Sequence, residues 1–168
     1  LDKEGLIIDD RANGGGNVSP MILERLSREP YRLTMRRGSA RIGTVPDAVQ
    51  VGPKVCLINK YSASDGDLFP WGFRALGLGK LIGTRTWGGI VGISGSLPYM
   101  DGTDIRVPFF TSFDPKTGSW IIENHGVDPD ILIDNDPVKE WNGEDQQLDR
   151  AIQEVMKELQ NRKPLPGV

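Results

Sequence analysis

Ser62, Ser64, Asp65 and Asp67 lie together in the segment YSASDGD, residues 61–67, directly after an apolar run. A serine hydroxyl in such a turn can act as a nucleophile once a base takes its proton. Free backbone N–H groups at the start of a following helix can stabilise the negative oxygen formed during acyl transfer. The alternative is that these serines and aspartates only cap a helix, which both residue types commonly do. This segment alone leaves both interpretations open.

Gly14, Gly15 and Gly16 form a second unusual segment, after the short apolar stretch 5–9. Glycine loses more conformational entropy on folding than other residues, so three in a row indicate a positive φ or a backbone that approaches a ligand closely. The surrounding residues match neither the G-x-G-x-x-G nor the Gly-Lys-Ser/Thr pattern of nucleotide sites. A backbone N–H directed at an oxyanion is therefore the better interpretation of this turn.

The elements around these turns are predicted to hold them on a rigid frame. Residues 54–59 have the length and the β-branched content of a buried strand. Residues 67–76 predict a helix that Asp67 caps, with Pro70 in the first turn, where its missing N–H has no partner to lose. Residues 5–9 predict a second core strand. Open α/β sheets place their sites at the carboxyl ends of such strands, so we expect the two turns to meet.

The rest of the chain predicts short elements joined by many turns. Further strands are expected at residues 81–84 and 131–133, and helices from Met21 to about Ser27 and over residues 143–161. Residues 85–95 contain too many glycines for a plain strand. An antiparallel meander is predicted from the segments 96–99, 103–107, 109–113 and 120–122. The arginine-bearing segment 31–43 predicts a solvated strand or hairpin, or alternatively a basic wall beside the site.

Composition excludes several classes of function. The 168 residues are 38% hydrophobic and 26% charged with a net charge of −3, which predicts a soluble globular domain and gives no nucleic-acid or membrane footprint. No apolar run approaches the roughly 20 residues that span a bilayer. A single cysteine, Cys56, and a single histidine, His125, predict neither a disulfide nor a metal site, and no cofactor is expected. Because the chain opens at Leu1 in place of Met, we expect it to be part of a longer polypeptide.

Four motifs together resemble the tail-specific (C-terminal processing) serine proteases of family S41, especially the tricorn branch. They are DDRANGGG at residues 9–16, SASDGD at 62–67, GTRTWGG at 83–89 and ENHGVDPDI at 123–131. The resemblance implies an α/β fold with a ClpP/crotonase-like core of strand-strand-helix units, an antiparallel β meander and a C-terminal helix. It implies one catalytic domain over residues 1–161. Residues 162–168, which include Pro164 and Pro166, predict a disordered tail.

The resemblance also implies a site. Ser64 would be the nucleophile, and the backbone N–H groups of Asp65 and Gly15, with Gly16 as the alternative to Gly15, would form the oxyanion hole. Glu123 matches the glutamate that orients the catalytic base in the tricorn branch. The implied function is hydrolysis of peptide bonds through an acyl-enzyme.

The general base is the point at which the chain departs from the family pattern. Bacterial relatives use a lysine, and Gly89 stands at that position here. The tricorn branch uses a Ser–His pair that precedes the nucleophile domain in the sequence. We therefore expect the base on an upstream segment. The alternative is that His125 is the base, but the simpler interpretation of His125 is an ordinary surface histidine in a turn.

Partners and substrates follow from the same resemblance. We expect peptide substrates and a cytoplasmic location. We also expect this chain to assemble as a homo-oligomer, with an upstream segment of the same polypeptide, or with both. In the region where the tricorn branch has an acidic specificity residue, this chain has Arg32, Arg36 and Arg37, with Asp47 nearer the strand at 54–59. Arg36 and Arg37 are the candidates for substrate binding and suggest acidic or apolar substrates. Two other classes remain open: a non-catalytic ligand- or peptide-binding module on the same fold, and a crotonase-like acyl-CoA enzyme.

Overall fold

The computed structural model describes residues 3–39 and 41–163. Its elements in chain order are β1 (Leu6–Asp9), α1 (Ser19–Leu26), β2 (Arg32–Met35), β3 (Ile42–Val45), β4 (Lys54–Ile58), α2 (Asp65–Ala75), β5 (Lys80–Gly83), β6 (Gly92–Pro98), β7 (Asp104–Phe110), β8 (Ile131–Leu132), α3 (Pro137–Trp141) and α4 (Gln146–Asn161). No helix among these residues is long and apolar enough to cross a bilayer.

A four-stranded parallel sheet in the order β1-β4-β5-β8 forms the centre of the fold. All five residues of β4 are buried, because helices cover both faces of a parallel sheet. Two antiparallel pairs, β2-β3 and β6-β7, lie outside this sheet. The structure thus confirms the predicted α/β class and its central strand.

Side chains of β4 alternate between two cores. Cys56 and Ile58 pack with Phe69 and Phe73 of α2, on the face that also contacts α1. Val55 and Leu57 pack on the opposite face with Val155 of α4. This alternation follows from the two-residue period of a strand. The carboxyl end of β4 is therefore held from both sides where it enters the turn before α2.

The helices confirm the sequence predictions with shifted starts. Helix α4 begins at Gln146, because the Asp145 carboxylate accepts the Leu148 N–H (3.0 Å) as an N-cap. Helix α2 begins at Asp65, two residues before the predicted Asp67 cap. The short helix α3 was not predicted; the Asp136 carboxylate caps it.

The meander region differs from the prediction. Residues 92–95, predicted to be too glycine-rich for a strand, belong to β6, which pairs with β7 across register shifts. Every residue of β7 is exposed, and that strand joins two segments predicted as separate. Phe113 and Trp120 form only an isolated bridge. Cross-strand hydrogen bonds compensate here for low strand propensity. Residues 164–168 of the predicted tail lie outside the described residues.

Candidate active site

Ser64 lies in the turn between β4 and α2 with a strained backbone, φ 58° and ψ −113°. A non-glycine residue with positive φ costs about 1–3 kcal/mol and persists only when its surroundings hold it. Strained strand-to-helix turns of this kind present nucleophilic serines in other hydrolases. Ser64 is half-buried at the start of α2, consistent with a reactive hydroxyl and also with the simpler N-cap interpretation.

Ser62, two residues earlier, has a structural role. It is fully buried, and its hydroxyl donates to the Asp10 backbone oxygen (2.8 Å) and accepts the Asn59 N–H (3.2 Å). The backbone oxygen of Ser62 accepts the Trp87 N–H (2.9 Å). These contacts commit Ser62 to holding the turn together and leave Ser64 as the candidate nucleophile.

The Asp65 N–H donates to no acceptor among the described residues, while the next amides of the turn are engaged. The N–H groups of Gly66 and Asp67 donate to the oxygens of Ala63 and Ser64, both at 2.9 Å. An unsatisfied amide at a helix N-terminus is suited to bind an anion. The predicted oxyanion donor at Asp65 is therefore free to act.

The glycine turn lies against Ser64, as expected. A Cβ added to Gly15 (φ +122°) would lie 3.0 Å from Ser64 Cβ and 3.3 Å from Ser64 Oγ, so only glycine fits there without displacement. The Gly15 N–H, however, donates to Asn13 Oδ1 (3.1 Å). The Gly16 N–H has no acceptor among the described residues. Of the two predicted donors, Gly16 is the one available in this structure.

The Asp65 carboxylate joins the two turns, a role that sequence reasoning did not identify. Its Oδ2 accepts the N–H groups of Val18 (3.1 Å) and Ser19 (3.2 Å), and the residue is 4% exposed. It thereby caps α1 from outside that helix. The Ser19 hydroxyl, for its part, donates to the Asp65 backbone oxygen (3.3 Å).

The Asp67 carboxylate holds a third loop. Its Oδ2 accepts the Ser64 N–H (2.8 Å) and the Gly89 N–H (3.2 Å), and its Oδ1 accepts the Gly88 N–H (2.8 Å). This fully buried carboxylate therefore fixes both the strained serine and the Gly88–Gly89 segment. A helix cap was the only role that local sequence suggested for it.

The Glu123 carboxylate binds the same loop at the two residues that follow Gly88–Gly89. Its Oε2 accepts the N–H groups of Ile90 (2.6 Å) and Val91 (3.0 Å). No hydrogen bond joins it to Ser64 within the described ranges. The structure thus places Glu123 beside the loop that Asp67 holds, and leaves its predicted orienting role as a prediction.

His125 is exposed, and its side chain pairs with the Asp128 carboxylate. Its Nε2 lies 2.8 Å from Asp128 Oδ2, and Arg85 Nε donates to Asp128 Oδ1 (2.6 Å). Hydrogen bonds from His125 and then Arg85 lower the pKa of Asp128. No contact with Ser64 is found in the described part of the chain, so this geometry gives no support to His125 as the base.

Asp10 is a buried carboxyl group behind both turns that the sequence motifs did not single out. It is 6% exposed; Oδ1 accepts the Asn13 amide (2.9 Å), and Oδ2 is buried without a partner in the described structure. Burial, which outweighs the Asn13 hydrogen bond, raises the pKa of Asp10 to about 7. Burial thus favours the neutral form of this carboxyl group.

A mostly apolar groove of about 1140 Å³ begins beside Asp65 and follows α1 and α2. Leu68, Trp71 and Phe113 contribute its large apolar surfaces, and Arg74 and Lys116 bring positive charge. Its dimensions suit an extended chain or a ligand of comparable size.

Arg36 and Arg37, the predicted substrate-binding residues, lie in the exposed turn between β2 and β3. No hydrogen bond or ion pair joins either side chain to the Ser64 turn or the glycine turn in the described residues. Over the same residues, no group of three or more His, Cys, Asp or Glu side chains could hold a metal ion.

Comparison with known proteins gives consistent matches. The family model described as peptidase family S41 matches residues 1–133. The tricorn protease of Thermoplasma volcanium is 43% identical over 164 residues, 96% of this chain and 15% of its own. A Sulfurisphaera tokodaii protein, whose name describes a tricorn-like protease C-terminal subunit, is 40% identical over 160 residues, 95% of this chain and 18% of its own.

Solved structures agree with these matches. The crystal structure of the tricorn protease superimposes with a TM-score of 0.85 at 41% identity, covering 94% of this chain and 15% of that one. The photosystem II D1 C-terminal processing protease gives a TM-score of 0.56 at 25% identity, over 78% of this chain and 35% of that one. This chain thus spans less than a fifth of the curated relatives described above. The match over residues 1–133 and the identity to tricorn proteases show that the chain belongs to peptidase family S41.

Proposed function

We propose that this chain carries the nucleophile and the oxyanion hole of a serine peptidase. The observation that carries the proposal is the strained Ser64, packed against Gly15 with the free N–H groups of Asp65 and Gly16 nearby. Helix capping alone does not require a glycine held against the capping serine. Membership of a peptidase family supports the same conclusion.

Ser64 Oγ attacks the carbonyl carbon of a peptide bond as a base removes its proton. The carbonyl oxygen becomes an anion, which the N–H groups of Asp65 and Gly16 stabilise. Each such donor is worth about 3 kcal/mol in other serine hydrolases. The tetrahedral intermediate collapses, the protonated amine leaves, and the acyl-enzyme is hydrolysed by water. Asp67 holds the Ser64 backbone throughout, so the donors need no rearrangement.

The base is supplied from outside the described residues. Gly89, whose N–H donates to Asp67, occupies the position of the lysine used by bacterial relatives, and His125 is held by Asp128. We propose an upstream Ser–His pair, oriented by the Glu123 carboxylate, whose Oε1 accepts no hydrogen bond from the described residues. The small share of its relatives that the chain covers is consistent with such a segment.

Peptides are the proposed substrates. The groove beside Asp65 offers apolar surface to substrate side chains, and Arg36 and Arg37 would favour acidic residues if an assembled partner brings them to a site. Assembly with further chains is supported by the subunit name of the Sulfurisphaera tokodaii relative. A cytoplasmic location rests on the family resemblance alone.

Fluorophosphonate labelling of the full-length polypeptide tests the proposal. We expect one adduct, on the peptide that contains Ser64, and complete loss of labelling and peptide hydrolysis in Ser64→Ala. Ser62→Ala is the matched comparison: it should lower stability through its lost hydrogen bonds but keep the adduct on Ser64. No adduct on a folded wild-type protein would favour the binding-module alternative.

The glycine turn gives a second test with an internal control. Gly15→Ala should lower the labelling rate about 100-fold, because its Cβ meets Ser64 Cβ at 3.0 Å and its φ is +122°. Gly14→Ala should change the rate less than about twofold, since nothing lies within 4 Å of an added Cβ there. Equal rates in the two variants would separate the glycine turn from catalysis.

A further inference from the structure

Trp87 is a large apolar residue that remains mostly in contact with water. Its side chain is 67% exposed. Its backbone N–H donates to the Ser62 oxygen (2.9 Å), so the residue lies directly beside the turn that carries Ser64. A single exposed apolar side chain is common on protein surfaces. What distinguishes Trp87 is that its position is fixed relative to the candidate nucleophile.

The Gly88–Gly89 segment that follows Trp87 is held on the same carboxylate as Ser64. The Gly88 N–H donates to Asp67 Oδ1 (2.8 Å). The N–H groups of Gly89 and Ser64 donate to one and the same atom, Asp67 Oδ2, at 3.2 and 2.8 Å. Two amides that share one acceptor atom must lie close together. Gly89 is therefore a near neighbour of the Ser64 backbone.

The indole of Trp87 packs on Gly89. A Cβ added to Gly89 would lie 2.0 Å from Trp87 Cζ3 and 2.5 Å from Cε3, so the six-membered ring covers the place of any side chain there. Gly89 does not adopt the left-handed conformation that favours glycine, so the ring above it accounts for the missing side chain. With one part fixed on Gly89 and the rest exposed, the indole presents a rigid apolar surface near Ser64.

We propose that Trp87 is a specificity-determining residue whose exposed indole binds an apolar side chain of the peptide substrate close to the bond that Ser64 attacks. The inference rests on the peptidase function proposed above. Contact between two apolar side chains removes the surface of both from water. A cationic side chain is less suited, because the Asp67 carboxylate beneath this segment is fully buried and bound to three N–H groups. The surface is separate from the groove beside Asp65, whose described lining does not include Trp87.

Hydrolysis of matched peptides by the full-length polypeptide tests the proposal. In these peptides each residue near the cleaved bond is in turn phenylalanine, alanine or lysine. At one position, wild-type kcat/KM should be about tenfold higher for phenylalanine than for alanine, and Trp87→Ala should reduce this ratio to about twofold or less. Trp87→Phe keeps an aromatic ring and should keep most of the ratio. Labelling of Ser64 by a small fluorophosphonate, which has no such side chain, should fall less in Trp87→Ala than peptide hydrolysis does.

Two further variants separate this contact from a structural effect. Gly89→Ala keeps the indole but displaces it, because the new Cβ would lie 2.0 Å from Cζ3, so it should also lose the preference for phenylalanine. Trp141→Ala removes another exposed indole, on α3, and should keep the preference. A preference that persists in Trp87→Ala and Gly89→Ala overturns the proposal. Should Trp87→Ala fail to fold, Gly89→Ala decides. Labelling that falls as far as hydrolysis also overturns it, since the indole would then only support the Ser64 turn.

Peptide binding decides the role of Trp87 without catalysis. In full-length Ser64→Ala, at least one phenylalanine peptide should bind about tenfold more tightly than its alanine counterpart, and adding Trp87→Ala should remove the difference. Equal binding of the two peptides, or tighter binding of the lysine peptide, overturns the proposal. Wild-type protein that neither labels nor hydrolyses any peptide overturns the peptidase function instead, and the binding difference then still tests Trp87.

Discussion

Asp67 and Glu154 are two carboxylates of nearly equal burial, 0% and 1% exposed, that are neutralised in opposite ways. Asp67, on the site side of the sheet, binds three backbone N–H groups and, among the described residues, no cation. Glu154, on α4, binds the Lys80 ammonium and the Arg150 guanidinium (2.8 Å). The first arrangement holds loops in place, and the second attaches a helix to β5.

The difference shows how the candidate site is built. Asp65, Asp67 and Glu123 each use a carboxylate to hold the backbone of another segment. Backbone amides cannot move away to water as long side chains can, so their positions depend on these acceptors. On the α4 side, Arg11 binds Asp145 through two nitrogens (2.9 and 2.8 Å), again pairing charge with charge. The candidate site therefore lies where carboxylates bind backbone N–H groups in place of cationic side chains.

Asp67→Asn should have the largest effect on stability. The new amide nitrogen faces an N–H group in place of an acceptor oxygen, which leaves buried donors unsatisfied and costs about 3 kcal/mol. Labelling of Ser64 should fall about 100-fold, because either the Gly88 N–H or the Ser64 and Gly89 N–H groups lose their acceptor oxygen. Denaturant unfolding and labelling rates measure the two effects. A stability loss under about 1 kcal/mol would show that the loop does not depend on this carboxylate.

Asp10→Asn should act in the opposite direction. The folded pKa of Asp10, about 7, lies above the value of 3.8 expected when unfolded, so the native state binds the extra proton between these values. Stability is thus greatest below about pH 4 and falls as the pH rises to 7, by up to about 4 kcal/mol for this group. We expect Asp10→Asn to raise stability at pH 8 by about 2 kcal/mol and to flatten this slope, as measured by urea unfolding across pH. An unchanged slope would contradict the buried neutral acid.

Sequence reasoning identified the elements of the site but not the contacts that assemble it. The apolar run of β4, the caps before α2 and the glycine turn are local patterns, and each led to the correct element. In contrast, the hydrogen bond from the Gly88 N–H to Asp67 and the capping of α1 by Asp65 join residues far apart in the sequence. An Asp at the start of a helix suggests its own cap first, so local sequence could not show that Asp65 and Asp67 reach other segments.

Burial and pairing account for the other differences. Asp10 stands in a polar, turn-forming run, and nothing local indicates that its side chain points under both turns. The β6-β7 ribbon was missed in part because its glycines lower strand propensity. Most of its pairs also join residues that are ten or more positions apart in the sequence, such as Ser96 with Arg106 and Gly92 with Phe110. Contacts of that kind depend on the tertiary fold.

Glu154→Gln should have the smallest effect of the three amide substitutions, although Glu154 is as buried as Asp67. Its partners Lys80 and Arg150 have side chains that are 45% and 31% exposed, so either cation can turn towards water once the carboxylate charge is lost. A stability loss of about 1 kcal/mol is therefore expected, with unchanged labelling of Ser64. The loss should shrink in high salt, unlike that of Asp67→Asn, because salt screens exposed cations and not buried amides. A loss equal to that of Asp67→Asn would show that burial, and not the kind of partner, determines the cost.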